Sequence, residues 1–175
     1  ELTHNECFRQ WALLHVREMI RQRVKNPAEW KIASRVIAYN TFNFRYKPIR
    51  LAANGKNRII AINLPGFKGV LSFFTQPGKM FADEISDRLK VIACIEKPHM
   101  CHSEEFTANI SLKDWDSIRR LLKSKENDAQ LVIWGPEADM PTALETVEER
   151  CRMAFEGIPN ETRKSFGNGT TIFER

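Results

Sequence analysis

Two imidazoles, a thiol and two carboxylates fall within seven residues of this chain, in the stretch HMCHSEE from His99 to Glu105. Side chains of these types can hold a zinc ion or form a cysteine–histidine nucleophile pair. A zinc site draws its ligands from two separated pairs, however, and the sequence has no second such cluster and no CxxC. Neighbouring residues on a strand, such as Cys101 and His102, point to opposite faces. The pattern therefore favours a strand end of mixed exposure and predicts no metal or catalytic residue.

The stretch LPGFKGVL, from Leu64 to Leu71, places Lys68 between Gly66 and Gly69. A phosphate-binding loop needs consecutive backbone amides, a helix behind them and a lysine at a fixed offset. The offset here differs, and an apolar run typical of a strand follows. The pattern favours a tight turn in which the glycines supply positive φ angles. A small-molecule site at residues 64–69 is the alternative.

Positive charge is concentrated at the start of the chain, where residues 1–50 hold ten Lys/Arg against four Asp/Glu. Phe42, Phe44 and Tyr46 alternate with polar or cationic residues, which predicts a strand with its aromatic side chains on one face. The cations in and near this strip are candidates for contact with RNA. They are Arg45, Lys47, Arg50, Lys56 and Arg58. Alternatively, the aromatic side chains pack inward and the cations are simply solvated.

Helical spacing predicts several elements that would position these residues. A first helix, capped by Thr3 or Asn5, is expected to run to about Val24. Its apolar residues at helical spacing are Phe8, Trp11, Leu14 or His15, Met19 and Ile20. A second helix is expected to start at Asn26-Pro27, although VIAY within it could turn into a strand. Further helices are expected over residues 81–92, after the cap Ser111, and from Pro141 to Gly157.

Strands are expected at residues 58–64, at VLSFF (residues 70–74) and at AQLVIW (residues 129–134), the last in the centre of a sheet. Helices alternating with few short strands favour an α+β sandwich over a doubly wound sheet. No apolar run approaches the ~20 residues that span a bilayer, and four scattered cysteines suggest a reducing, cytoplasmic location.

Motifs at both flanks and in the middle of the chain carry a resemblance to a known family. The first helix contains an RQ..LL pattern, and the C-terminal region contains GIPNETR and GNGTT. LPGFKGVL is similar to LPGF.G.L, and HSEE is similar to an H-S/T-D-E-L stretch, with Phe106 in place of leucine. These motifs resemble the GatB/GatE family of glutamyl-tRNA(Gln) amidotransferases in its E-type form. The matched positions include Arg9, Gln10, Leu13, Leu14, Gly66, Phe67, Gly69, His102, Glu161, Thr162 and Arg163.

This resemblance implies a fragment with three parts. Residues 1–25 would be a helix of the family's catalytic cradle, residues 26–157 an inserted GAD domain, and residues 158–175 the segment where the cradle resumes. The GAD domain implies an α/β sandwich with a mainly antiparallel sheet. The two ends of the chain are then expected to lie side by side.

The family's enzyme converts glutamate misattached to tRNA(Gln) into glutamine, forming a C–N bond with glutamine as amido donor. The resemblance implies ATP and Mg²⁺ as cofactors of the parent enzyme, with no cofactor, metal or catalytic residue in this chain. It implies an asparaginase-like D-type subunit and tRNA(Gln) as partners, with no membrane and no DNA. Arg163 and Lys164 join the RNA-contact candidates. The alternative is a structural or protein-interaction insert without RNA contact.

Overall fold

A computed structural model describes residues 3–38, 44–52, 57–92, 100–107 and 109–157. Its helices are α1 (His4–Arg23), α2 (Lys47–Ala52), α3 (Phe81–Ile92), α4 (Leu112–Leu122) and α5 (Met140–Met153), with 3-10 turns at Pro27–Glu29 and Glu137–Asp139. Its strands are β1 (Ala33–Ile37), β2 (Asn57–Leu64), β3 (Phe74–Gln76), β4 (Lys79–Met80), β5 (Met100–His102) and β6 (Ala129–Pro136). Within these ranges, no helix combines the length and the apolar character that crossing a bilayer requires.

A four-stranded sheet in the order β1-β2-β6-β5 organises the molecule. Each neighbouring pair in this sheet is antiparallel, and β2 pairs with β6 along its full length. Strands β3 and β4 form a separate hairpin. The prediction of an α+β fold with a mainly antiparallel sheet is therefore confirmed.

Side chains alternate between two cores on opposite faces of the sheet, as the two-residue period of a strand requires. Ile60 and Ile62 of β2 belong to one core, which includes residues of α1, α3 and α5. Ile59 and Ala61 belong to the other core, which includes residues of α2 and α4. The sheet is thus covered on both sides, with three of the described helices on one face and two on the other.

Helix α1 begins where predicted, because the hydroxyl of Thr3 accepts a hydrogen bond from the Glu6 N–H (3.1 Å). Its predicted apolar edge is correct at Ile20 but wrong at Trp11 and Leu14, which are 56% and 42% exposed. The buried face consists of Ala12, Leu13, Val16 and Ile20. Both sets recur at helical spacing, so the choice between them was made by packing against the sheet and not by periodicity.

The second predicted helix is also wrong beyond its first turn. Pro27–Glu29 forms one 3-10 turn, and Trp30 is already extended. Five residues of β1 then pair with β2, from Ala33 opposite Asn63 to Ile37 opposite Ile59. The predicted start is therefore correct, but pairing with β2 replaced the helix after a single turn. The alternative of a strand at VIAY is confirmed for Val36 and Ile37.

The strand predicted around residues 42–47 is not formed in its described part. Phe42 lies outside the described residues, and Phe44 is buried in the core beside α2. The Tyr46 carbonyl accepts the N–H groups of Ile49 and Arg50 (3.1 Å each), which starts α2. Pro48, in the first turn, suits a helix start because its missing N–H would be unpaired there anyway.

The buried strand predicted at VLSFF is likewise wrong. Val70 and Leu71 are fully buried, as expected, but they lie in successive turns, and β3 begins only at Phe74. The Val70 N–H donates to the Phe67 carbonyl, and the Phe73 N–H donates to the Val70 carbonyl. An apolar run thus signalled burial correctly without specifying a strand.

The remaining elements follow the prediction closely. β2, β6 and α3 lie where expected, and Ser111 caps α4 by accepting the Asp114 N–H (3.1 Å). Helix α5 begins at Met140 as expected but ends at Met153, and a turn leads to Gly157, which has the positive φ expected there (+71°). Because β6 lies between β2 and β5, the expectation of a central strand there is confirmed.

The expectation that the two ends lie together falls partly outside the described residues, since the structure describes nothing after Gly157. The last described residues do lie against α1. The Arg21 guanidinium donates to the Phe155 carbonyl through Nε (3.0 Å) and Nη2 (2.8 Å). The three-part division of the chain stays a prediction.

Candidate functional site

The LPGFKG turn is fixed by glycine geometry. Gly66 has φ +78° and Gly69 has φ +84°, which confirms the prediction of positive φ angles. A Cβ atom on Gly66 would also lie 2.9 Å from the Val24 side chain. Between the two glycines, Phe67 is fully buried and packs against Trp30, with ring centroids 5.3 Å apart. The turn therefore anchors its central side chain in the core.

The backbone amides of this turn are taken up by the protein itself. The Gly66 N–H donates to the Asp128 carboxylate (3.0 Å), and the Lys68 N–H donates to the Asn127 carbonyl (3.0 Å). The Gly69 N–H donates to the Glu104 carboxylate, which also accepts the N–H of Ser72 (2.9 Å). A phosphate site needs free amides pointing at the ligand. The geometry is that of an internally bonded turn.

Glu104 brings two of the predicted family motifs together. Its carboxylate accepts hydrogen bonds from the LPGFKG turn, while its own N–H donates to Nδ1 of His102 (3.2 Å). His102 is buried. Burial lowers the pKa of His102 to about 4, against a small opposing effect of Asp83, so the ring is neutral at pH 7. Glu104 of the HSEE segment thus fixes the backbone of the LPGFKG turn by accepting its hydrogen bond.

Three arginines of α1 hold that helix to the rest of the fold. Arg23 donates to the carbonyls of Gly66 (3.1 Å) and Lys68. Arg21 donates to the Phe155 carbonyl, as described above. Arg9, a residue of the RQ..LL pattern, pairs with Glu84 of α3. Gln10 of the same pattern is exposed. Part of the positive charge at the start of the chain is therefore used internally.

Glu84 is the centre of a buried charge cluster. Arg9 contacts it with both terminal nitrogens (2.8 and 3.2 Å), and Arg150 of α5 contacts it at 2.6 Å. The Thr75 hydroxyl donates to the same carboxylate, and Arg150 lies 4.7 Å from the Phe81 ring centroid. Burial acts to raise the pKa of Glu84, but Arg150 and Arg9 together lower it to about 2. The cluster joins α1, α3 and α5.

The sequence reasoning missed this cluster, although it contained a signal. Glu84 lies next to Ile85 within the apolar stripe of α3, and Arg150 lies between Val147 and Cys151 within that of α5. A charged residue inside an apolar stripe is almost never buried unless it is paired. Two such residues of opposite sign predict a buried ion pair.

The predicted absence of a cysteine–histidine pair is consistent with the positions of Cys101 and His102. Cys101 belongs to the core beside α2 and α4, whereas the pKa of His102 is influenced by Asp83 of α3, on the other face of the sheet. Burial and Glu105 raise the pKa of the Cys101 thiol well above its usual range, so it stays protonated. Among the described residues, no group of three or more His, Cys, Asp or Glu could hold a metal ion.

Glu105 is a half-buried carboxyl beside Cys101. Burial raises its pKa to about 7, against smaller opposing effects of hydrogen bonds from the His102 backbone and the Cys101 thiol. In the part of the chain that the structure describes, its Oε1 atom is buried without a hydrogen-bond partner. Burial also raises the pKa of the nearby Tyr46 hydroxyl, with smaller contributions from Cys101 and Glu105.

The structure divides the predicted RNA-contact residues between two faces. Arg45, Lys47 and Arg50 are exposed in and just before α2, on the α2/α4 side of the sheet, and no described acidic residue forms an ion pair with them. Ile59 of β2 faces the core beside α2 and α4, so its neighbour Arg58 faces the other side of the sheet. Arg58 forms an ion pair with Glu137 (3.1 Å). Lys56, Arg163 and Lys164 lie outside the described residues, as do Glu161 and Thr162.

Comparison with known proteins shows similarity along the whole chain. An E-type subunit of glutamyl-tRNA(Gln) amidotransferase from Sulfurisphaera tokodaii is 31% identical over 182 residues, covering 100% of this chain and 28% of that protein. Proteins of the same name from Methanocaldococcus jannaschii and Pyrococcus furiosus are 32% and 30% identical, covering 100% and 99% of this chain and 27% of each relative. The chain thus spans just over a quarter of the length of these curated relatives. No protein-family model matches the chain.

Proposed function

Because this chain is homologous along its whole length to part of the E-type subunit of glutamyl-tRNA(Gln) amidotransferase, we propose that it acts within an archaeal-type, tRNA-dependent amidotransferase. The observation that carries this proposal is the match, over the whole length of the chain, to relatives of that name. We further propose the division inferred from the motifs, with a cradle helix at residues 1–25, a GAD domain at 26–157 and a cradle segment at 158–175.

The proposed parent enzyme is a cytoplasmic ligase of protein synthesis that converts Glu-tRNA(Gln) into Gln-tRNA(Gln). ATP and Mg²⁺ would activate the glutamyl carboxylate as an acyl phosphate, and ammonia supplied through an asparaginase-like D-type subunit would displace the phosphate. We assign no ATP or Mg²⁺ contact to the described residues. The amides of the LPGFKG turn are bonded within the protein, and the described part offers no carboxylate group suited to a metal.

Within this enzyme, the α2 surface is proposed to contact tRNA. We define the α2 surface as Arg45, Lys47 and Arg50. Its three side chains are exposed, and α2 itself (KPIRLA) contains no acidic residue. Cations without acidic partners gain the most when they replace the counterions of a phosphate backbone. By contrast, Arg9, Arg21 and Arg23 already donate to protein carboxylates or carbonyls.

Fluorescence anisotropy with labelled tRNA(Gln) tests this assignment. If the three cations contact phosphates, the logarithm of the association constant falls with the logarithm of salt concentration with a slope of about −2 to −3. The variant Arg45→Ala/Lys47→Ala/Arg50→Ala is expected to flatten the slope by about one unit per cation removed.

A control variant of equal charge separates location from net charge. Lys79, Arg88 and Lys90 lie outside the α2 surface, and Lys79 and Arg88 pair with acidic residues. Replacing all three with alanine changes the net charge equally but should leave most of the salt dependence. An equal decrease in the salt slope for the two variants would disprove the RNA contact. An unchanged affinity of the parent enzyme for tRNA when the α2 surface is replaced would also disprove it.

A structural role without RNA contact is the second candidate, and the inward use of charge favours it. Arg9, Arg21 and Arg23 fix α1 to α3, to the end of α5 and to the LPGFKG turn. This arrangement suits a rigid spacer within the parent protein. Crosslinks from the α2 surface to the asparaginase-like partner, with none to tRNA, would select this role.

A further inference from the structure

Trp11 and His15 of α1 and the nearby Phe73 form a cluster of three rings, with Trp11 and Phe73 6.1 Å apart and tilted by 37°. Trp11 stacks on His15 with centroids 5.4 Å apart and planes at 20°, and His15 stacks on Phe73 at 5.0 Å and 17°. Phe8 adds a fourth ring, 6.0 Å from Trp11. We call these four residues the aromatic patch. Phe73 follows the LPGFKG turn and packs against the main core, so the patch is anchored to the core through this residue.

The patch is exposed at its outer end and lacks cations. Trp11 is 56% exposed, and Leu14, one helical turn away, is 42% exposed. The residues three and four positions from Trp11 are Cys7, Phe8, Leu14 and His15. None of these is Lys or Arg. A base stacked on Trp11 would therefore find no cation beside it on this helix to contact its phosphate. This composition fits an apolar protein surface better than RNA.

We propose that the aromatic patch docks an apolar segment of the same E-type polypeptide that lies outside this chain. The inference rests on the proposed function, because it requires the longer parent protein. The relatives carry nearly three quarters of their length beyond the matched region. An intramolecular partner is held at high effective concentration, so a patch of four rings suffices where two separate proteins would need a larger interface.

Hydroxyl-radical footprinting of Trp11 tests the docking. Trp30, Trp115 and Trp134 are at most 5% exposed, so Trp11 is the one exposed tryptophan of the four. The full-length parent protein and the 175-residue chain are oxidised in parallel, and each tryptophan is read by mass spectrometry. Burial of Trp11 in an interface core should lower its oxidation about fivefold in the parent protein without RNA. Phe106, 79% exposed, serves as the internal control and should be oxidised equally in both.

Each alternative occupant gives a different result. Protection of Trp11 only after tRNA is added would overturn the proposal in favour of base stacking. Protection in the isolated chain that grows with protein concentration would overturn it in favour of a second copy of the chain. Equal oxidation of Trp11 in the parent protein and the isolated chain would overturn docking altogether.

A pair of substitutions separates docking from local stability. Trp11→Ser should lower the melting temperature of the parent protein more than that of the isolated chain, where the side chain is already half exposed. Val91→Ser, at a residue 78% exposed on α3, should change neither. An equal decrease in both proteins would contradict docking. This result does not depend on the salt-dependence test, so docking of the aromatic patch and RNA contact by the α2 surface can each fail without the other.

Discussion

Replacing Glu84 with glutamine keeps the shape of the side chain but removes the charge that Arg9 and Arg150 share. Glu84 and Arg150 have side chains that are 8% and 6% exposed, so little solvent screens the pair. The folded protein lowers the pKa of Glu84 from 4.5 to about 2. At about 1.4 kcal/mol for each pKa unit, this shift corresponds to about 3 kcal/mol of stability at pH 7.

The direction of the pH dependence follows from the same shift. A carboxyl with a lowered pKa stabilises the folded state fully above pH 4.5, and this contribution is lost as the pH falls from 4.5 to about 2. Glu84→Gln should therefore cost about 3 kcal/mol at pH 7, or roughly 6–12 °C in melting temperature for a chain of this size. The cost should shrink toward pH 2.

Urea unfolding followed by circular dichroism, repeated across this pH range, measures both quantities. Asp87→Asn is the matched control, because Asp87 lies on the same helix in a surface pair with Lys79 that is about half exposed. Such pairs contribute at most about 1 kcal/mol. Equal losses for the two variants, or a loss for Glu84→Gln that does not change with pH, would refute the reasoning.

Two further predictions follow from the site. Gly66→Ala should cost at least about 1 kcal/mol more than Gly78→Ala in urea unfolding, because both glycines have φ near +78° but only Gly66 would bring a Cβ within 2.9 Å of Val24; equal costs would show that the Val24 contact is relieved freely. Glu105→Gln should raise the urea midpoint at pH 8 more than at pH 4, because a carboxyl whose pKa rises from 4.5 to about 7 on folding contributes stability below pH 4.5 that is lost as the pH rises to 7. A midpoint difference that is the same at both pH values would contradict the assignment of this titration to Glu105.

Local signals in the sequence predicted the correct elements where tertiary contacts favoured the same structure. The cap at Ser111, the apolar spacing of α3 and the β-branched run of β6 each specified the correct element. The predictions for residues 30–38 and 44–47 failed because helix-start and alternation signals competed with tertiary contacts. Pairing with β2 drew residues 33–37 into the sheet, and Pro48 allowed a helix where alternation indicated a strand.

For the candidate site, the sequence allowed the motifs to be predicted but not the contacts that Glu104 and Glu84 make with distant residues. The glycine geometry of LPGFKG and its similarity to a family motif could be read from the residues. The contact between Glu104 and that turn links positions 35 and 32 residues apart, and the Glu84 cluster links positions 75 and 66 residues apart. Charged residues within the apolar stripes of α3 and α5 do indicate a buried ion pair, but no local pattern specifies which distant residues meet.

The burial of α1 against the sheet has a consequence for how this region can be dissected. Val16 and Ile20 are fully enclosed in the same core as Phe67, Phe81 and Phe155. Cutting the polypeptide after residue 25, where the proposed insertion begins, would open that core to water along a whole helix. The border of the proposed insertion would therefore differ from the border of the packed core, which includes α1.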